Sequence, residues 1–542
     1  MNNRDVGCFL ALITAMLANI GCSREAAGLL SVTITPVSMR PIASIDDRYQ
    51  SYNIEMIEVT GGRFWKPYKD IEDLLKKHAA PKADAAAPAG MDPGLYQQRP
   101  PINLGNARLR ALAASLAPAY MRVSGTWANT TYFHDSDDLA PAAPPKGFGG
   151  MLTRPQWKGV VDFSNAADAK LVTSFATSPG TRDAHGLWTP NEARKLLAYT
   201  KAVGGSIAAA EYMNEPTYAE MGGAPKGYDA AAYGRDIAVF RPFMRQSVPD
   251  MILLGPGGVG EGVELAPIGL AGNQLKSEDL LKATGPAFDA FSYHSYGATS
   301  KRCASMGPAS QTTPEAALSE DFLSRADQIE EFYAALRDKF GPGKPIWLTE
   351  TADAACGGNP WASTFLDSFR YLDQLGRLAK RGVRVMMHNT LASSDYGLLD
   401  ENSFTPRPNY WAALLWRKLM GTAVLDAGAS SSPGLYLYAH SLRGVAGGVA
   451  LLAINASNSA QSLQIATGAQ RYTLSAPELQ SSGVQLNGTE LKLGASNAMP
   501  RIEGVKVPAG TVTLASRTIT FLAFADAKNG ASLENASRRD IR

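Results

Sequence analysis

The chain has 542 residues, enough for two or more domains. Hydrophobic residues make up 45% and charged residues 19%, a globular balance with material for a large core. A formal net charge of +2 argues against nucleic acid as a partner, but not against an acidic sugar, which needs only a local polar pocket.

Cys8 to Ile20 run almost without charge. Thirteen residues are short for a bilayer span and suit the core of a signal peptide. Gly21-Cys22 follows and resembles a bacterial lipoprotein cleavage site, although Asn19 stands where Leu is usual. Residues 1–22 are therefore predicted to be an export signal, with the membrane reached only through a lipid on Cys22. The protein would be periplasmic, outer-membrane-anchored or secreted. Two cysteines remain, Cys303 and Cys356, and an exported chain could pair them. Their spacing gives no zinc pattern, and no metal or other cofactor is expected.

Residues 29–45 contain a strand-like segment that need not join the main domain. Ser51–Val59 reads as a first strand, closed by Gly61-Gly62. Residues 79–93 are rich in Ala, Pro and Gly and read as a surface loop. Strand candidates follow at Ala119–Val123, Lys170–Ala176, Ile207–Glu215, Met251–Leu254, Phe288–Tyr293, Pro345–Glu350 and Val383–Met387. Helical spacing separates most of them, at Asn106–Leu116, Thr189–Val203, Tyr228–Ser247, Pro314–Phe340 and Ser363–Lys380. Eight such units predict an α/β fold, a (β/α)8 TIM barrel over 46–405. From about residue 420 the chain becomes short strands with turns, a β-sandwich pattern over 406–526, with 29–45 as an added piece. Residues 527–542 are expected to be a disordered tail.

Two segments carry chemistry. Glu-Tyr-Met-Asn-Glu-Pro, residues 211–216, puts Asn214 and Glu215 at a strand's carboxyl end. Pro216 pushes Glu215 away from the helical region. Pro345-Ile346-Trp347-Leu348-Thr349-Glu350 again ends a buried strand in a glutamate. Two glutamates on two parallel strands fit two-carboxylate glycoside hydrolysis. Glu211, earlier on its strand, reads as structural.

Asn214-Glu215-Pro216, Trp347-Leu348-Thr349-Glu350-Thr351 and Tyr396-Gly397-Leu398-Leu399-Asp400-Glu401 together resemble the heparanase-like glycoside hydrolases of family 79. Leu116 to Arg122 and Pro408-Asn409-Tyr410-Trp411 agree, in the family's order. The resemblance implies a retaining β-glucuronidase, endo or exo, on glucuronate-containing polysaccharides such as heparan sulfate. Glu215 would be the acid/base and Glu350 the nucleophile, on strands four and seven across the barrel mouth. Asn214 would bond the sugar 2-hydroxyl, Tyr296 would orient the nucleophile and His294 would line the cleft. Tyr396 and the Cys356-Gly357-Gly358 amides would take the uronate carboxylate, and Glu58 and Thr126 would contact hydroxyls. Cys303 and Cys356 then follow strands six and seven, on one rim, where a bond would brace the nucleophile loop. Lys301-Arg302 could meet a sulfated chain. The alternatives are a barrel glycosidase acting on a neutral sugar and a non-catalytic glycan-binding lipoprotein. Oligomeric state is not legible.

Overall fold

The structure, a computed structural model, describes residues 32–76, 92–263, 274–306, 311–428, 430 and 432–533. The apolar leader, Cys22 and all but the last two residues of loop 79–93 lie outside them. Among the described residues no helix is long and apolar enough to cross a membrane.

Eight parallel strands close into a barrel in chain order: β1 Gln50–Glu55, β2 Ala119–Ser124, β3 Ala169–Thr173, β4 Ile207–Glu211, β5 Ile252–Gly258, β6 Ala290–Tyr296, β7 Ile346–Ala352 and β8 Val385–His388. β1 is shorter than the sequence suggested. Glu55 and Glu58 form a reciprocal capping box that starts a helix at Met56–Thr60. β4 also stops early, at Glu211. The helix expected over Pro314–Phe340 is two, Glu320–Leu323 and Arg325–Phe340. Arg154–Ala166, which carries no expectation above, is helical and capped by a Thr153–Gln156 box. The last barrel helix, Pro408–Leu419, is almost wholly buried and carries the barrel beyond residue 405.

Alternation along the strands sets the site. Tyr120, Val172, Ala209, Leu254, Ala290, Trp347, Val385 and Met387, from seven strands, form one apolar layer inside the barrel. Residues two further on point the same way. These are Arg122 after Tyr120, Glu211 after Ala209, Ser292 after Ala290, and Thr349 after Trp347. Thus an apolar plug fills the lower barrel and polar side chains sit on top of it. β7 breaks the alternation once. Its register with β6 shifts between Tyr293–Leu348 and His294–Glu350, and its register with β8 shifts over the same stretch. The extra residue is a β-bulge, which lets Thr349 and Glu350 both reach the barrel interior.

The C-terminal region is a sandwich. A nine-stranded sheet is built on Met420–Leu425, Leu435–Leu442, Val449–Asn455, Thr518–Phe524 and Ala469–Ser475. A three-stranded sheet faces it across a separate apolar core that includes Leu425, Leu451, Leu463 and Leu522. The N-terminal segment supplies a strand to each sheet: Val32–Ile34 pairs with Gln461–Ile465, and Pro41–Ser44 with Met420–Leu425. Tyr438, Leu452 and Ile454 belong to the barrel's core cluster, which joins the two domains. Residues 527–533 are ordered: buried Asn529 donates to the carbonyls of Pro36 and Met39, tying this stretch to the N-terminal segment. Residues 534–542 lie outside the described set.

Trp347 is the largest side chain of the plug. Trp347→Ala is expected to lower unfolding free energy by about 3–5 kcal/mol. Urea unfolding followed by circular dichroism measures it; an unchanged midpoint would mean that the plug does not bear on stability.

Candidate active site

The floor of the site is built around Arg122, whose side chain is 1% exposed. Its Nε and Nη2 donate to Glu211 Oε2 at 3.0 and 2.9 Å. Nη1 donates to Glu350 Oε2 at 2.9 Å, and Nη2 also donates to Asn214 Oδ1 at 2.8 Å. Nη2 lies 3.2 Å from His294 Nε2. Because Arg122 can only donate, the neutral form of His294 has Nε2 as the acceptor and its proton on Nδ1. That Nδ1 lies 3.0 Å from Glu215 Oε1. Glu211 accepts further bonds from Ser292 and Thr349, both at 2.8 Å. Burial would raise the Glu211 pKa, but Arg122 outweighs it and holds the carboxyl below its ordinary value.

Glu215 and Glu350 converge above this floor. One oxygen of each and a ring nitrogen of His294 lie within 4.8 Å of one another. Among the described residues this trio is the one cluster close enough to hold a metal ion, and Arg122 already places a cation against Glu350. Glu350 Oε1 accepts from Tyr296 Oη at 2.6 Å, so both its oxygens are held by donors. Burial, then the neighbouring Glu350 charge, raise the Glu215 pKa above its ordinary value despite the opposing His294 bond. Burial also works against charge on His294, yet Glu350, Glu215 and Glu211 together raise its pKa.

Three residues after β4 separate Glu211 from Glu215. Asn129 holds that stretch as a strand partner would: Oδ1 accepts from the Asn214 amide at 2.8 Å, and Nδ2 donates to the Asn214 carbonyl at 2.9 Å. Glu215 itself is left-handed, with φ 47° and ψ 62°. The following proline keeps Glu215 out of the right-handed helix, and the backbone enters this rarer region at the start of the Pro216–Tyr218 turn.

The cavity above the pair measures about 130 Å³. Glu215, Glu350, Tyr296, Tyr396, Thr126 and Gly357 line it, with Glu55 and Asn389 and an aromatic wall of Phe64, Trp65, Tyr96 and Trp127. Asn214 and His294 are not in the lining; both are buried in the floor. Glu58 is displaced from its expected place. It caps the helix after β1, accepting from the Glu55 amide at 2.9 Å, and burial pushes its pKa up to about 7. Glu55, three residues earlier, faces the cavity instead. Burial, then Glu350, push its carboxyl well above the usual carboxylate range. Oε1 accepts from Asn389 at 3.0 Å, while Oε2 has no protein partner. Asn389 Nδ2 also reaches the hydroxyls of Tyr296 and Tyr396, at 3.2 and 3.1 Å. The sequence signals for these residues are weak. Arg122 sits inside a matched segment, and Glu55 and Asn389 mark the ends of β1 and β8.

Cys303 and Cys356 form a disulfide, with Cα atoms 6.3 Å apart. Arg302 is turned inward, its side chain 1% exposed and paired with Asp395, so it does not offer itself to a sulfated chain. A larger groove of about 750 Å³ lies between the barrel helices and the sandwich, away from the glutamate pair. Its Arg377 is matched within the protein by Glu320, Asp327 and Asp373.

A β/α barrel presenting two opposed carboxylates at the carboxyl ends of its strands is the architecture of a glycoside hydrolase. Residues 106–376 match the N-terminal domain of glycosyl hydrolase family 79, and the chain belongs to that family. It is 28% identical over 372 residues to heparanase-like protein 1 of Arabidopsis thaliana, covering 66% of this chain and 65% of the relative. It is 27% identical over 495 residues to the heparanase of Gallus gallus, covering 78% and 89%. In fold it is similar to a 4-O-α-L-rhamnosyl-β-D-glucuronidase from Fusarium oxysporum, at TM-score 0.58 and 13% identity, covering 91% of this chain and 99% of that one.

Gly125 lets Glu55 face the cavity. At its φ of 92°, an added Cβ would fall 1.6 Å from Glu55 Oε2. Gly125→Ala and Glu55→Ala are each expected to lower kcat/KM on a glycoside by about tenfold or more. The double variant should lose less than the product of the two single losses, because the clash with Glu55 is gone and only the strain of alanine at that φ remains. Fully multiplicative losses would show that Gly125 does not act through Glu55.

Proposed function

We propose that this glycoside hydrolase cleaves β-glucuronide linkages in glucuronate-containing polysaccharides, heparan sulfate among them, with retention of configuration. The observation that carries the reading is that an oxygen of Glu215 and one of Glu350 lie within 4.8 Å of each other, in unlike surroundings. A retaining pair works at about 5–5.5 Å between carboxyl groups, and an inverting pair needs roughly 6.5–9.5 Å. Glu350, oriented by Arg122 and Tyr296, attacks the anomeric carbon. Glu215, whose raised pKa keeps a proton available, gives it to the leaving oxygen. Glu215 then takes a proton from water, which releases the sugar from Glu350. Tyr396 and the Gly357 turn at the cavity edge supply donors for a uronate carboxylate, and the heparanase relatives favour the same substrate class.

Export belongs to the same reading. A disulfide between Cys303 and Cys356 suits an oxidising compartment, and the apolar leader ending at Cys22 supplies a route to it.

On an aryl β-glucuronide, proton NMR should show the β-anomer of glucuronic acid as the first product; the α-anomer first would overturn retention. Glu350→Gln should abolish turnover, and Glu215→Gln should lower it by about 10²–10⁴-fold on substrates that need protonation. A wild type that prefers aryl glucoside, galactoside or xyloside would favour a neutral-sugar enzyme. Binding without turnover would leave a glycan-binding protein.

The pH profile gives a second test. Glu215 must be protonated to act as acid, so kcat/KM falls as pH rises through its pKa, which lies above the ordinary carboxylate value. His294 opposes that rise by donating to the charged form. His294→Phe should therefore move the alkaline limb to higher pH. A shift to lower pH would contradict the arrangement.

A further inference from the structure

We propose that Arg302 is a positioning residue that sets the direction of the amides in the Cys356-Gly357-Gly358 turn, and through them the selection of an acidic sugar. This rests on the glucuronidase reading. The three residues of the turn have φ values of 65°, 78° and 80°, a run of left-handed backbone. Arg302 Nη1 faces all three of their carbonyl oxygens, at 3.4, 3.1 and 3.0 Å. Nη2 donates to the carbonyl of Lys66 at 2.6 Å and to Asp395 Oδ2 at 2.5 Å. The guanidinium carbon stands 4.0 Å from the Tyr68 ring centroid. One buried side chain thus ties together the segment at Lys66–Tyr68, the turn after β7 and the loop that carries Tyr396.

The peptide geometry gives the consequence. In a trans peptide the N–H points opposite to the C=O. Drawing the carbonyls of Cys356 and Gly357 onto Arg302 turns the amides of Gly357 and Gly358 to the opposite face of the turn, and Cys356 and Gly357 line the cavity. Neighbours reinforce the orientation. Ser300 Oγ donates to the Cys356 carbonyl and Tyr68 Oη to the Gly358 carbonyl, both at 2.8 Å. The adjacent residue, Cys303, fixes Cys356 covalently. Asp395 sits against the guanidinium, so the pair projects little net charge. The aligned peptide groups therefore matter more than a long-range field. A lysine cannot replace this arrangement, because a single ammonium lacks the planar fork that reaches the turn and Asp395 together.

The test uses the full chain, with Arg302→Lys, Arg302→Met and Tyr68→Phe. Steady-state kinetics would compare 4-nitrophenyl β-glucuronide with the β-glucoside. A carboxylate remote from the reacting bond contributes uniform binding, so its loss raises KM more than it lowers kcat. Both Arg302 variants should raise KM for the glucuronide by about tenfold with kcat within about threefold, and Lys should rescue little. Tyr68→Phe should shift KM the same way by a smaller factor, about two- to fourfold. The glucuronide-to-glucoside ratio of kcat/KM should fall in step. Parallel losses on both substrates, a fall in kcat alone, or full rescue by lysine would overturn the proposal. If both Arg302 variants fail to fold, an unchanged ratio in Tyr68→Phe overturns it. A wild type without glucuronide preference would remove the glucuronidase reading and this proposal together; a preference kept in the variants removes only the proposal.

Discussion

The structure depends on one buried cation. Arg122 lies inside the barrel with almost no exposure, and a lone charge there would be far too costly to keep. Two carboxylates answer it, each through one oxygen: Glu211 Oε2 takes Nε and Nη2, and Glu350 Oε2 takes Nη1. Breaking such a pair from one side typically costs about 3–5 kcal/mol, because the remaining charge is stranded. This fixes the division of labour among the three central glutamates. Glu211 is consumed by the guanidinium and by two hydroxyls, so it is structural. Glu350 shares the cation but keeps its position at the cavity. Glu215 has no guanidinium bond and is the member whose pKa rises.

The same cation orders the neutral groups. By donating to His294 Nε2 it sends the imidazole proton toward Glu215, and by donating to Asn214 Oδ1 it fixes one end of the turn that carries Glu215. One side chain therefore sets the position of the nucleophile candidate, the tautomer beneath the acid candidate and the entry to its loop. Strand alternation delivers it there: Arg122 follows Tyr120 of the apolar plug by two residues.

Much of this was legible in the sequence, for a definite reason. Eight strand-like runs, mostly separated by helical spacing, read as parallel barrel strands, and Glu215 and Glu350 stand out because each lies at the carboxyl end of an apolar run. What stayed hidden depended on departures from regular periodicity. Nothing in Trp347-Leu348-Thr349-Glu350 announces a bulge, yet without one Thr349 and Glu350 would face opposite ways. Reading β1 to Val59 places Glu58 at the strand's end, but the strand stops at Glu55, and the capping box there is made by these two residues. Asn129 and Asn389 carry no periodic signal, since each acts by bonding chain segments remote in sequence.

Two non-glycine residues with left-handed backbone stand on either side of the cavity, Glu215 and Cys356. Each such conformation costs on the order of 1–2 kcal/mol, so neither would persist without surrounding constraint. The constraints differ in kind. Around Glu215 they are the Asn129 clamp on its neighbour and the Tyr218 amide donating to its carbonyl at 2.9 Å. Around Cys356 they are a covalent bond, the Ser300 hydroxyl and the Arg302 guanidinium. The barrel supplies strand ends at fixed spacing, but strand ends alone would leave these two turns free to relax. It is the fastening of the turns that fixes the separation of the two carboxyl groups, and that separation, rather than the presence of two glutamates, decides whether a carboxylate or a water molecule is placed to attack a sugar.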